Sequence, residues 1–279
     1  MLIENGLVNP ALLSLVRLCG LTVSDENPRS VNDLLQREWV KTKDGGFRVQ
    51  IGGRNPTDAE LGLLSQLGFV DEISINHGRQ YSGTLILGAT LKAVTRRMWF
   101  LVREKFRVGG LEPDVGFFRP INAIGSLRPL LDLEMKENVP QIIEETGAPL
   151  LSWEDERFWP DTEVNMMSCV ARWLNVSGVV PFHGRTGIKS DGLVRPANTD
   201  ETIREFFNDD AVSAGHYLLV SSQPACQNQL LAARRVVSSI GDDITFDVAG
   251  PDAPAMPLAR WLDTVAKQLW EEVQLLPKS

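Results

Sequence analysis

Five segments of the chain share one pattern of hydrophobic and polar positions: an apolar run, an abrupt small or polar turn, and then an amphipathic helical stretch. These segments are 83–90, 122–128, 176–184, 216–223 and 244–251. Strands that alternate with helices form parallel sheets, and right-handed crossovers bring the carboxyl ends of the strands to one edge. The pattern therefore predicts an α/β fold, a Rossmann-like three-layer sandwich around a mostly parallel sheet.

The turns after the predicted strands indicate where a ligand would bind. Open α/β sheets bind ligands in a crevice outside the carboxyl ends of their strands. Small or polar side chains occupy four of these turns, at 88–90, 126–128, 181–184 and 221–224. We expect the four turns to face one crevice, which predicts a site without naming a reaction.

The first 80 residues show a different pattern. Apolar residues recur at helical spacing over 11–20 and 31–40, and a third helix is predicted over 58–67. We therefore expect a helical N-terminal extension over 1–80 and a Rossmann-like α/β domain over 81–279.

Composition narrows the class of partner. The 279-residue chain carries a formal net charge of -8 and has a pI near 5.0. Binding to a nucleic-acid backbone needs clustered Lys and Arg, so we expect no nucleic-acid partner. The acidic segment 131–160 contains no motif that indicates a function.

The cysteines and the apolar stretches bear on the compartment. Three cysteines without CxxC spacing, behind a start that lacks a positively charged leader, are typical of a reducing compartment. The apolar stretch 11–21 is too short to span a bilayer and contains Arg17. We expect a soluble, cytoplasmic protein that does not associate with a membrane.

Gly88, Ala89 and Thr90 end a strand and begin a helix. A glycine there lets a ligand approach the backbone, and the free N–H groups of a helix N-terminus attract an anion. The other interpretation is a tight turn that needs a small residue. Arg128, held directly before Pro129, would bind a phosphate or carboxylate through two N–H groups, or would pair with the acidic segment.

Two residues are candidates for proton transfer. Glu163 would serve as a base or as a partner for a ribose or an amine, although a Thr-Glu pair in a first helical turn is also typical of helix capping. His183 lies in a glycine-rich segment at the expected functional edge and is the best acid/base candidate among the three histidines. The histidines are too dispersed for a local metal motif, and we predict no metal site.

Other candidate ligand-binding residues lie in the same turns and at the helix starts that follow them. Asn198 and Thr199 begin a helix and Thr202 follows one turn later, again with capping as the alternative. Gln223 and Gln227 are four residues apart and would share a helix face. The remaining candidates are Ser126, Ser221 and Ser222.

An ordered set of short motifs resembles the SanA/YdcF-like family, a bacterial domain family of largely unknown function. The resemblance spans roughly residues 81–270, and it includes Arg97. The matching positions are Tyr81, 85–90, Arg97, 125–130, 162–166, 198–202, 221–224 and 262–265.

The resemblance implies a Rossmann-like sheet and a pocket for a ligand like a nucleotide or S-adenosylmethionine. The residues that it would place in this pocket are Gly88, Arg128, Glu163, Thr199, Thr202, Ser222 and Gln223. The chain has Gly88-Ala89 where the family commonly has paired glycines. It has Gln223 and Gln227 where the family often has His and Arg, which puts a histidine-dependent activity at that position in doubt.

These observations favour an enzyme, a transferase or a hydrolase. It would bind a nucleotide-like or anionic small metabolite, of the S-adenosylmethionine or sugar-phosphate class, at the carboxyl edge of the sheet. The cofactor is unknown, with S-adenosylmethionine or a nucleotide as candidates, and a homodimer is left open. The alternative is a non-catalytic protein that senses a small molecule and acts through a protein partner.

Overall fold

The structure is a computed structural model that describes residues 1–40, 53–107, 120–155, 159–184, 187–188, 194–195, 197–209, 212–241 and 243–277. In this part of the chain the strands are β1 (Ile3–Glu4), β2 (Leu7–Val8), β3 (Gly83–Leu87), β4 (Ile121–Gly125), β5 (Val179–His183), β6 (Gly187–Ile188), β7 (Val194–Arg195), β8 (Gly215–Val220) and β9 (Ile244–Ala249). The α-helices are α1 (Pro10–Leu18), α2 (Pro28–Glu38), α3 (Asp58–Gln66), α4 (Leu91–Arg107), α5 (Val139–Thr146), α6 (Glu163–Trp173), α7 (Thr199–Phe207), α8 (Cys226–Val237) and α9 (Leu258–Gln274).

The predicted α/β fold is confirmed. Strands β5, β4, β3, β8 and β9 form one sheet in that order, and every neighbouring pair is parallel. Each of the five segments that share the hydrophobic pattern overlaps one of these strands, and β4 and β8 begin one residue earlier than their segments. The first strand of the sheet along the chain, β3, lies at its centre. The next strands, β4 and β5, lie on one side of β3, and β8 and β9 lie on the other, which is the Rossmann arrangement.

The central strands are hydrophobic on both faces because helices flank the sheet. All residues of β3 and β4 are buried. Helix α6 packs so closely on β4 that a β-carbon at Gly125 would lie 3.0 Å from Met167 Sδ and 3.3 Å from Val164 Cα. The absence of a side chain at Gly125 therefore allows the first turn of α6 to pack closely against the carboxyl end of β4.

The chain divides into two compact units. The first comprises 1–72, 223–232 and 252–279, and the second comprises 73–222 and 233–251. The predicted domain boundary at residue 80 stays a prediction.

The first unit contains α1, α2, α3 and α9 around its own hydrophobic core, which includes Leu12, Leu35 and Trp261. Asparagines cap α1 and α2, and a capping box between Thr57 and Glu60 begins α3. Capping side chains satisfy the free N–H groups of a first helical turn, which explains where these helices begin. Helices before the first strand of the sheet agree with the predicted N-terminal extension.

No helix in the described ranges is both long enough and apolar enough to cross a bilayer.

Candidate functional site

A cavity of about 240 Å³ opens at the carboxyl ends of β3 and β4, inside the second unit. Its position is the one predicted from the turns, at the edge where open α/β sheets bind ligands. The residues that line it are Leu87, Gly88, Ile124, Gly125, Ser126, Arg128, Glu163, Ala197, Asn198, Thr199 and Thr202. Seven of these are among the sequence-predicted site residues, and they come from the turns after β3 and β4 and from the starts of α6 and α7.

Glu163 is the first residue of α6, and the protein fixes its carboxylate. One oxygen, Oε2, accepts hydrogen bonds from the backbone N–H of Ser126 (2.8 Å) and from Ser126 Oγ (2.6 Å). The other, Oε1, lies 3.3 Å from Arg128 Nε and 3.2 Å from Arg128 Nη2. Glu163 is 7% exposed and lines the cavity, so these hydrogen bonds fix the orientation of its carboxylate at the cavity wall.

Gly88 makes room for this carboxylate. A β-carbon at position 88 would lie 2.9 Å from Glu163 Cδ and 3.0 Å from both carboxylate oxygens. These distances are too short for ordinary contacts, so glycine is required wherever Glu163 keeps this position. The sequence suggested that Gly88 lets a ligand approach the backbone, and the structure shows that the glycine also accommodates the Glu163 side chain.

Arg128 is bound by acceptors of the protein itself. Nη1 donates to Glu134 Oε2 (2.7 Å), and Nη2 donates to Glu134 Oε1 (2.8 Å) and to the carbonyl of Ala89 (3.0 Å). Hydrogen bonding to Glu134, together with the charges of both glutamates, raises the pKa of Arg128. An anion would have to compete with these acceptors for the guanidinium, and its predicted role as an anion clamp stays a prediction.

Glu134 is the residue that sequence reasoning missed. It is fully buried, and it accepts hydrogen bonds from the backbone N–H groups of Leu91 (3.1 Å) and Leu131 (2.7 Å) as well as from Arg128. Burial acts to raise the pKa of Glu134, but the hydrogen bonds from Arg128 and from the two N–H groups outweigh it and hold the pKa below its usual value. It lies inside the acidic segment 131–160, where nothing in the local sequence sets it apart from its neighbours.

The start of α7 forms another wall of the cavity. Asn198 Oδ1 accepts the backbone N–H of Glu201 (2.9 Å), and Glu201 in turn accepts the N–H of Asn198 (2.9 Å), which is a capping box. Thr202 Oγ1 donates to the carbonyl of Asn198 (2.9 Å). The capping interpretation and the lining of the cavity both hold for Asn198, since its side chain caps the helix at the cavity wall.

Arg97 is buried at the switch between β3 and β8. Its Nη1 donates to the carbonyls of Leu87 (2.5 Å) and Gly88 (3.1 Å), and its Nε and Nη2 lie 3.4 and 3.3 Å from Ser222 Oγ. These bonds tie the carboxyl end of β3 to the second residue after β8. Ser221 beside it is fully buried, with its N–H donated to the carbonyl of Ala249 (3.0 Å).

The remaining predicted residues are not among those that line the cavity. Gln223 Nε2 donates to the carbonyls of Gly68 (2.8 Å) and Asp71 (3.1 Å) within the first unit. His183 is the exposed last residue of β5, Ala89 and Thr90 lie in the turn before α4, and Gln227 is the second residue of α8. Among the residues that the structure describes, no three His, Cys, Asp or Glu side chains come together as a metal site.

The cavity presents groups that recognise hydroxyl and amine groups. A carboxylate accepts from them, while the hydroxyls of Ser126, Thr199 and Thr202 both donate and accept. Arg128 pairs both with Glu163 at the cavity wall and with the buried Glu134 behind it, so the guanidinium brings no net positive charge to this wall.

No family model matches the chain, and no curated protein or solved structure matches it. The resemblance to the SanA/YdcF-like family therefore stays a prediction.

Proposed function

We propose that the cavity binds a small nucleotide-like metabolite and that the protein is an enzyme, a transferase or a hydrolase, that acts on it. The observation that carries the proposal is the Glu163 carboxylate, fixed by Ser126 and Arg128 at the cavity wall. Its position at the carboxyl edge of a sheet with Rossmann order supports a ligand site. S-adenosylmethionine or a nucleotide is the candidate ligand, and a cytoplasmic location belongs to the same proposal.

Glu163 would accept a hydrogen bond from a ribose hydroxyl or an amine of this ligand. Such a carboxylate orients the ligand, and it takes a proton if the hydroxyl becomes the nucleophile. Because its position is already set by three donors, little conformational entropy is lost when the ligand binds. Ser126 Oγ donates to Glu163 and accepts the backbone N–H of Arg128 (3.4 Å), so it joins the turn after β4 to this carboxylate.

Sensing without catalysis is the second candidate, and the position of His183 favours it. His183 is outside the set of residues that line the cavity, so it brings no acid or base to Glu163 there. A binding protein needs only the recognition groups that line the cavity. The two candidates differ in whether the bound compound is turned over.

A ligand screen with two matched variants tests the proposal. The purified protein is screened by thermal shift against nucleosides, nucleotides, S-adenosylmethionine and ribose phosphates, and stabilising compounds are then assayed for turnover. We expect a nucleotide-like compound to raise the Tm of wild type but not of Glu163→Gln, since bound ligand stabilises the folded state. The matched control is Glu60→Gln: Glu60 also pairs with an arginine at a helix start, but it lies in the first unit.

Three results separate the alternatives. Stabilisation of wild type and Glu60→Gln alone, with turnover, supports the enzyme. The same stabilisation without turnover supports the sensor. Stabilisation by no compound, or equal stabilisation of Glu163→Gln, contradicts the proposed site.

A further inference from the structure

The N-terminus of α4 carries a carboxylate that the protein itself supplies. In a sheet with this strand order, the helix that follows the first strand usually offers its N-terminal N–H groups to the phosphate of a ligand. Here the N–H of Leu91, the first residue of α4, donates to Glu134 Oε1 at 3.1 Å. Glu134 thus occupies the position where an anionic ligand would otherwise bind.

The hydrogen-bond donors around Glu134 form a complete binding site for an oxyanion. Both Nη atoms of Arg128 and the N–H groups of Leu91 and Leu131 converge on its two oxygens at 2.7–3.1 Å. Bidentate guanidinium bonds and backbone N–H groups are the donors that bind phosphate in proteins. Since Glu134 is fully buried, a phosphate cannot share these donors with it.

The charges around Arg128 also disfavour a phosphate. Arg128 and Glu163 also line the cavity, and Glu163 and Glu134 together outnumber the guanidinium that they share. A phosphate at this wall would meet the Glu163 carboxylate and a guanidinium whose charge the buried Glu134 already balances, whereas a hydroxyl, an amine or a cationic sulfonium group would meet an acceptor. Like charges in a partly buried site are strongly unfavourable.

We propose that Glu134 is a specificity-determining residue that excludes phosphate from the N-terminus of α4, so that the ligand is a nucleoside-type compound with no phosphate there. This inference rests on the proposed function for the identity of the ligand. It narrows the ligands of that function to compounds that place no phosphate at the N-terminus of α4, of which S-adenosylmethionine and other unphosphorylated nucleosides are the simplest.

Removal of Glu134 should make the donors around it available to bind phosphate. In Glu134→Ala the N–H of Leu91 and the guanidinium of Arg128 lose their carboxylate, and we expect inorganic phosphate to bind at least about tenfold more tightly than to wild type. The readouts are a phosphate titration followed by Tm and the NMR shift of the Leu91 amide. If Glu134→Ala does not fold, Glu134→Gln, which keeps the shape and removes the charge, takes its place.

Glu60→Ala is the matched control: Glu60 accepts the backbone N–H of Thr57 at a helix start while paired with Arg54, but Arg54 is more exposed than Arg128 and is not fixed beside the cavity. A gain of phosphate affinity in the Glu134 variant, localised at Leu91 and absent from Glu60→Ala, supports the inference. Equal phosphate binding by wild type and the variant, or an equal gain in Glu60→Ala, overturns it.

A second comparison uses wild type with adenosine and adenosine 5′-monophosphate. Weaker binding of the monophosphate agrees with exclusion of phosphate, and tighter binding of the monophosphate that shifts the Leu91 amide overturns it. If the proposed function is wrong, Glu163→Gln changes the binding of neither compound. The phosphate titrations decide the role of Glu134 independently of that result.

Discussion

The carboxylate of Glu163 lies against the α-carbon of Gly88, with 2.9 Å between Glu163 Cδ and the position that a β-carbon of residue 88 would take. This contact joins the turn after β3 to the first residue of α6. It links two residues that the sequence suggested separately, Gly88 as a place of close approach to the backbone and Glu163 as a base. The cavity wall depends on both.

Gly88→Ala should therefore displace Glu163. The added methyl group overlaps the carboxylate, and we expect a loss of about 1–3 kcal/mol in the free energy of unfolding, as for other overpacked buried sites. Urea denaturation measures the loss. Gly62→Ala is the control, because no atom lies within 4 Å of a β-carbon at that exposed position of α3, and it should be neutral or stabilising by up to about 1 kcal/mol.

The combination of Gly88→Ala with Glu163→Ala gives a sharper test of the contact. If the methyl group is harmful because it meets the carboxylate, the two changes together cost less than the sum of each alone. Additive losses would show that the contact does not account for the glycine.

Arg128→Ala should be among the most destabilising single changes in the chain. It leaves the fully buried Glu134 carboxylate without its guanidinium, and removal of one partner of a buried pair costs about 3–5 kcal/mol. By contrast, the pair of Arg195 and Glu201 is partly exposed on both sides, so Arg195→Ala should cost less than about 1 kcal/mol. Similar losses in the two variants, measured by urea denaturation, would contradict the central place given to Arg128.

Acid should weaken the first unit through Glu60. Its hydrogen bonds from Arg54 lower the pKa of Glu60 from 4.5 to about 2, against the opposing effect of burial. A carboxyl whose pKa is lower in the folded state stabilises it above the unfolded pKa, and this stabilisation is lost as the pH falls through the folded pKa. The Tm difference between wild type and Glu60→Gln should be constant above about pH 5 and should shrink towards pH 2.

A Tm difference that is unchanged from pH 6 to pH 2 would show that Glu60 is not held ionised by Arg54.

The sheet was predictable because its strands are short, continuous apolar runs between turns. The buried run of β3 and the helix after it carry the signal in adjacent residues. Topology alone led to the turns after β3 and β4, since parallel strands end at one edge, whereas no residue of the turns at 181–184 and 221–224 is among those that line the cavity.

The contacts within the site were not predictable, because they join residues distant in sequence. Glu134 binds Leu91, 43 residues away, and nothing in the local sequence selects it from the other acidic residues of its segment. Gln223 looked like a ligand-binding residue at a strand end, yet its amide donates to carbonyls more than 150 residues away. Only tertiary packing decides which polar side chains of a turn face the cavity and which hold the fold together.

The crystal structure of the protein with the compound that stabilises it most in the thermal-shift screen tests the central claim most directly. The account predicts that this compound lies in the cavity at the ends of β3 and β4, with a hydroxyl or amine within about 3 Å of Glu163 Oε1. Binding at any other place, or in the cavity without contact to Glu163, would contradict it.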